Sequence, residues 1–174
     1  MRGRLITIEG LDGSGKTTLA DGLVEALRDV ARDVLLLREP GGVELSERVE
    51  PALAAGTWVL LDRFVDSSLA YQGVGRGLGI EAVAEINHFA TGGLRPDRTL
   101  LLRADAATRT ARQAARGEAP DRLEREEDAF FDAIAGAYDA LAAAEPERIR
   151  VLDAGSPPDA VLAAALAALA DLGR

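Results

Sequence analysis

The chain has 174 residues, 48% of them hydrophobic, which suits one domain with a full core. Its formal net charge of −9 argues against a protein that coats nucleic acid or lies on an acidic membrane surface. It has no cysteine, hence no disulfide framework and no thiolate metal site.

Leu5 to Ile8 is a short apolar run that reads as a buried strand. It is too short for the core of a secretory leader, and the longest apolar run, Val161 to Ala170, falls below the roughly 18 residues of a membrane span. A cytoplasmic protein with no membrane partner is expected. The strand runs into Gly10-Leu11-Asp12-Gly13-Ser14-Gly15-Lys16-Thr17, the pattern G-x-x-x-x-G-K-[ST]. Its glycines let the backbone turn successive N–H groups toward an anion, and the helix that follows adds its own unpaired N–H groups and dipole. In this chemistry Lys16 reaches the β- and γ-phosphates and the Thr17 hydroxyl ligates Mg²⁺. Lys16 is the only lysine; the other nineteen basic residues are arginines. An ammonium fits inside such a loop where a broad, planar guanidinium does not.

From Lys16 to Ala31 the pattern is helical, with Leu19, Leu23, Ala26, Leu27 and Val30 on one face. Val34 to Leu37 reads as a second strand, ending in Arg38-Glu39-Pro40-Gly41-Gly42. Glu44 to Ala55 is helix-like with Gly56 as its C-cap, and Trp58 to Leu61 is a third strand ending in Asp62-Arg63-Phe64. Asp66 to Tyr71 is expected to be helical, and Gln72 to Gly79 a loop. That loop does not match G-x-G-x-x-G and follows no strand, so it is not a dinucleotide site. Ile80 to Ala90 is helical with Val83 and Ile86 inward, and Thr99 to Leu102 is the fourth strand. Asp105 to Arg116 and Glu124 to Ala144 are helices, the latter burying Phe131, Ile134, Tyr138 and Leu141. Ile149 to Leu152 is the fifth strand, and Pro157 to Leu172 closes the chain with Leu162, Leu166 and Leu169 inward. Trp58 reads as packing and His88 as structural.

Continuously apolar strands alternating with helices imply an α/β fold in three layers, a five-stranded parallel sheet covered on both faces. Ligands of such sheets bind beyond the C-terminal strand ends. Gly10, Arg38 and Asp62-Arg63 all fall at that edge. There Asp62 is placed to hold Mg²⁺ directly or through water, or else to cap a helix or pair with Arg63. Arg38 and Arg63 suit bidentate phosphate contacts or surface ion pairs. Arg109, Arg112, Arg116 and Arg122 form the densest basic group, either a lid that brings positive charge over a triphosphate or a solvated helix face. Phe64 and Tyr71 fit an acceptor pocket or the core.

Together these motifs resemble the thymidylate kinase family. The matching pieces are Glu9 to Thr18, Arg38 to Gly42, Asp62-Arg63-Phe64 with Ser67 to Gly73, and the lid segment Arg116 to Glu124. The resemblance implies a single P-loop kinase domain over 1–174, with a lid at about 109–124 and an acceptor region at about 38–76. It implies transfer of the γ-phosphoryl of ATP to dTMP, Mg²⁺ held by Thr17 and Asp62, and a homodimer. It casts Asp12, Lys16, Arg63 and Arg116 as catalytic, with Asp12 near the acceptor sugar and metal, Arg63 bridging the two phosphates and Arg116 the lid arginine. It places ATP on Gly10 to Thr17 with Arg112 and Arg122. It places dTMP on Arg38, Glu39, Pro40, Phe64, Ser67, Ser68, Tyr71 and Gln72, with Tyr71 under the deoxyribose and Gln72 facing the base. An acceptor phosphate is anionic at neutral pH, so no general base is required.

The chain departs from the family between 43 and 61, where a few dozen residues found in its members are missing. That part carries, by resemblance, an aromatic and an arginine for thymine and part of the dimer surface. Both flanks still read like the family, which favours a segment left out of this sequence over an engineered or a natural deletion. A kinase of the same fold with another acceptor, or a nucleotide-binding module without turnover, stays open at this point. A GTP-dependent switch does not, because its Asn-Lys-x-Asp motif needs a second lysine.

Overall fold

A computed structural model of the chain describes residues 2–29, 33–38, 45–116 and 128–173. Five strands, β1 (Leu5–Glu9), β2 (Val34–Arg38), β3 (Trp58–Asp62), β4 (Arg98–Arg103) and β5 (Ile149–Asp153), form one parallel sheet in the order β2-β3-β1-β4-β5. β1 is central, flanked by β3 and β4. The chain crosses from one side of β1 to the other between β3 and β4, which makes the end of β1 the topological switch point.

The helices are α1 (Lys16–Asp29), α2 (Glu50–Ala54), α3 (Val65–Ser68), α4 (Ile80–Ala90), α5 (Ala106–Arg116), α6 (Asp128–Ala144) and α7 (Pro158–Leu169). Alternation along β1 sorts its side chains between two cores. Ile6 and Ile8 face α1 and α7, packing with Leu19, Leu23, Leu100, Val161 and Leu169. Leu5, Thr7 and Glu9 take the opposite face. Leu5 joins Leu37, Val49, Leu53 and Phe64, while the Thr7 and Thr99 hydroxyls meet at 2.7 Å. On that side α6 buries Phe131, Ile134 and Tyr138 with Leu11, Tyr71 and Leu101. Trp58 is core, as its strand position implied.

Several local expectations change. The helical stretch at 44–55 is a wide π-type turn over Leu45–Val49 followed by α2; residues 39–44 lie outside the described part. Gly56 follows it at φ 92°, a conformation glycine adopts freely. Helix α3 does not stop before Gln72 but continues as a wide π-type turn over Leu69–Gly75, because Ala70, Tyr71 and Gly73 are drawn into the core. Ile86 is 67% exposed rather than inward, since Val83 alone of α4 is fully buried. His88 is exposed too. In α7 the buried residues are Val161, Ala165 and Leu169, with Leu162 and Leu166 partly covered at the flanks; Leu141 of α6 is likewise partly covered.

Candidate active site

The loop between β1 and α1 sits at the switch point. Gly10, Gly13 and Gly15 all adopt positive φ, and a Cβ on Gly10 would stand 2.6 Å from the Leu102 carbonyl oxygen. Main-chain N–H groups of Lys16 and Thr17 make no backbone hydrogen bond among the described residues, as at any helix start. They open on a cleft of about 610 Å³ lined by the loop from Asp12 to Thr18, by Arg38, Asp62 and Arg63, and by Arg112 and Ser156 on the far side.

Lys16 is buried, and its Nζ donates to the carbonyls of Gly10 and Leu11 at 3.1 Å each. Asp12 Oδ1 lies 3.6 Å from it. Burial, and then the charge of Arg63, bring the Lys16 ammonium down to about 8. Arg63 directly follows β3 and holds φ 73°, the one non-glycine residue of positive φ among the described residues. Its N–H donates to the Ile8 carbonyl across the sheet end at 3.0 Å. Its guanidinium donates to Asp12 Oδ1 at 2.5 Å, to Ser67 Oγ at 3.2 Å and to Tyr71 Oη at 3.4 Å, and stands 5.0 Å from the Tyr71 ring centre. A left-handed backbone at a non-glycine residue is costly, and these contacts hold it in place.

Arg38 spans the cleft mouth. Its guanidinium donates to Thr17 Oγ1 at 2.9 Å and lies 3.4 Å from Asp62 Oδ2. Asp62 therefore pairs with Arg38, while Arg63 pairs with Asp12. The other oxygen, Asp62 Oδ1, is buried and accepts no hydrogen bond from the described residues. Asp62 and Thr17 line the same cleft, and a carboxylate oxygen without a donor beside a hydroxyl is a donor set that would suit a hard divalent cation. Among the described residues no group of three acidic, histidine or cysteine side chains competes for that role.

Arg112 and Arg109 share a helix but part company in space. Arg112 donates to the carbonyls of Ser14 and Ala154, at 3.2 and 2.7 Å, and lines the cleft. Arg109 turns instead to the Phe131 ring, 5.6 Å away. Arg116 ends α5, but its side chain, like Glu39, Pro40 and Arg122 and the part of the expected lid from 117 to 124, lies outside the described residues. Of the expected acceptor residues, Tyr71 is buried beside Arg63, Phe64 packs in the core, Ser67 and Ser68 are half-buried and Gln72 is exposed.

The family model described as thymidylate kinase matches residues 8–50 and 43–165. The chain belongs to the thymidylate kinase family. It is 44% identical to the thymidylate kinase of Alkalilimnicola ehrlichii over 97% of this chain and 93% of that one. It is 44% identical to that of Oenococcus oeni over 95% and 94%, and 40% identical to that of Halorhodospira halophila over 98% and 95%. Since 97% of 174 residues is about 169, about thirty of the 202 positions aligned with the A. ehrlichii kinase have no residue here. The two stretches matched by the family model share 43–50, which sets the break between β2 and β3, where the motif spacing had put it. Here the turn and α2 close that connection, with Val49 and Leu53 in the core and the Leu53 carbonyl accepting from Gly3 N–H at 2.7 Å.

One residue of this thymidylate kinase family site escapes sequence reasoning. Glu9 has no solvent exposure, yet it accepts from Phe64 N–H at 2.8 Å and from Tyr138 Oη at 3.0 Å, and one of its oxygens lies 2.5 Å from Ser67 Oγ. The only signal in the sequence is a carboxylate closing an otherwise apolar strand. Its partners come from α3 and α6, which no local pattern connects to it.

Proposed function

We propose that the chain transfers the γ-phosphoryl group of ATP to dTMP, giving ADP and dTDP. The observation that carries this reading is Arg63, pinned at the switch point between Asp12 of the phosphate loop and Tyr71 of the acceptor segment. A guanidinium there reaches a phosphate on either side.

In this reading the loop from Gly10 to Thr17 cradles the triphosphate of ATP, and Lys16 exchanges its two carbonyl partners for phosphate oxygens. Thr17 and Asp62 hold Mg²⁺, which supplies charge neutralisation at the β- and γ-phosphates when bound. Arg38 leaves Thr17 and Asp62 for the acceptor phosphate. Tyr71 packs under the deoxyribose, with Phe64, Ser67, Ser68, Gln72, Glu39 and Pro40 completing the acceptor side. Arg112 steadies the phosphate loop, and Arg116 and Arg122 close over ATP as a lid. Catalysis is then positioning plus positive charge on the transferring group.

We further propose a homodimer acting in the cytoplasm, where its nucleotide substrates are. Ile86 and Phe89, three positions apart on α4, are 67% and 90% exposed, beside exposed Leu78 and Ile80. An apolar strip of this kind marks a protein contact. No helix among the described residues is long and apolar enough to cross a membrane.

The activity is tested by coupled ADP release with Mg-ATP and dTMP, dUMP, dGMP or dCMP. A marked preference for dTMP is expected. Equal rates with all four would contradict the acceptor assignment.

A further inference from the structure

Glu9, Ser67 and Tyr138 are remote in sequence, yet three of their oxygens close a triangle in the core. Ser67 Oγ is 2.5 Å from Glu9 Oε2, Tyr138 Oη is 3.0 Å from the same oxygen, and the two hydroxyls are 2.9 Å apart. Each edge is a hydrogen-bond distance, so each needs one proton. Ser67 and Tyr138 bring one each. An ionised Glu9 brings none and leaves one pair of oxygens in contact with no hydrogen between them. A protonated Glu9 supplies the third. Its O–H donates to Ser67, Ser67 donates to Tyr138, and Tyr138 donates back to Glu9. Glu9 Oε1 still accepts from Phe64 N–H, and Ser67 keeps a lone pair for Arg63, whose Nη1 is 3.2 Å away.

The charged and titratable neighbours come from every element packed on this ring. Asp12 and Lys16 stand on the phosphate loop, Arg63, Asp66 and Tyr71 on and beside α3, and Tyr138 on α6. Asp66 is itself paired with Arg148, 2.7 Å away. Burial, then Asp66, push the Glu9 carboxyl up, against Ser67, Arg63 and the Phe64 N–H, to about 7.

We propose that this oxygen ring, closed by a protonated Glu9, is the positioning device for Arg63. It fixes Ser67, and Ser67 fixes one arm of the guanidinium while Asp12 and Tyr71 fix the other. Being neutral, it also leaves the positive charge of Arg63 for the phosphates, whereas a buried carboxylate at the same spot would compete for it. The inference rests on the reading of Arg63 as the cation that bridges donor and acceptor.

The test compares the parent with Glu9→Gln, Tyr138→Phe, Arg63→Ala and the Tyr138→Phe/Arg63→Ala pair, by kcat and KM for both substrates across pH, with thermal unfolding as the check on folding. With both substrates bound, phosphate oxygens hold Lys16 charged, so kcat reports the ring. The parent's kcat is expected to fall as pH rises through about 7, where Glu9 ionises. Glu9→Gln cannot ionise and should lack that fall; its amide nitrogen donates to Ser67 but cannot accept from Tyr138, so its kcat at neutral pH should lie below the parent's. Tyr138→Phe should lose about tenfold to a hundredfold in kcat, the effect of a slight misplacement of a reacting-site group, with little change in either KM. Added to Arg63→Ala it should cost almost nothing more. A Glu9→Gln variant that keeps the fall with pH, or a parent without that fall, would overturn the protonated ring. A slowed Arg63→Ala whose loss multiplies with that of Tyr138→Phe would overturn the positioning role alone. A kcat for Arg63→Ala equal to the parent's would overturn the role of Arg63 itself, and this inference with it.

Discussion

Lys16 is a cation without a counter-anion in direct contact: its two hydrogen bonds go to carbonyls, and Asp12 stays at 3.6 Å. With its ammonium lowered to about 8, the free protein loses this charge at mildly alkaline pH. Phosphate oxygens restore the charged form, so above that pH nucleotide binding must take up a proton. The dissociation constant for ATP, measured by calorimetry, should be flat below neutrality and weaken by up to about tenfold per pH unit above 8. An affinity constant up to pH 9.5 or so would contradict the burial argument. Stability has the opposite slope. The unfolded chain keeps this proton up to 10.5, so between 8 and 10.5 it binds more protons than the folded chain, and Lys16 makes stability rise with pH across that window.

Asp66 and Arg148 form a buried charged pair. Arg148 donates to both Asp66 oxygens, at 2.7 and 2.9 Å, and Thr99 donates to one of them. Asp66→Ala strands a mostly buried guanidinium, which keeps only its contacts to Glu145 and Thr99. It should lower the unfolding free energy in urea by about 3–5 kcal/mol. A loss below about 1 kcal/mol would class the pair as surface-like. At this scale the sequence is legible where chemistry is written locally. Gly10, Lys16, Thr17 and Asp62 stand where their motifs put them. Glu9, Asp66 and Tyr138 gain their roles only when strands and helices far apart in the chain meet, and no spacing encodes that.

Among the elements, the end of β3 carries the conformational cost of the site. Arg63 holds φ 73°, where a Cβ is disfavoured by roughly 1–2 kcal/mol. Arg63→Gly and Arg63→Ala remove the same guanidinium, but only alanine keeps the Cβ. The glycine variant should therefore be the more stable of the two by about 1 kcal/mol, the reverse of their order in regular structure. Equal stabilities, or alanine ahead, would show that the backbone relaxes once the arginine is gone. The sequence gives the alternation of strands and helices but not this turn, because nothing in an arginine signals a left-handed conformation. It likewise hides the continuation of α3 through Gly75, since two glycines read as a break and only burial of Ala70, Tyr71 and Gly73 holds the helix together.

For the molecule as a whole, hydrophobic periodicity does not distinguish core from interface. Ile86 reads as inward by its spacing from Val83, yet it points out with Phe89. The homodimer reading predicts that Phe89→Asp shifts the mass found by analytical ultracentrifugation from two chains to one at micromolar concentration. A parent that sediments as a single chain would contradict it. The global charge of −9 repels a nucleotide, so the cleft depends on Lys16, Arg38, Arg63 and Arg112 to reverse the field locally.

The central claim is that the loop at the switch point grips ATP and that Arg63 helps hand its terminal phosphoryl to dTMP. It is tested most directly by following labelled γ-phosphate from Mg-ATP in the presence of dTMP, for the parent and for Lys16→Ala. Loss of one such charge-assisted contact is worth about 3–4 kcal/mol, or roughly 10²–10³ in rate. The label should appear on dTDP with the parent and fall by that factor with Lys16→Ala while the fold is kept. Label released only as inorganic phosphate, or equal transfer by the variant, would contradict it.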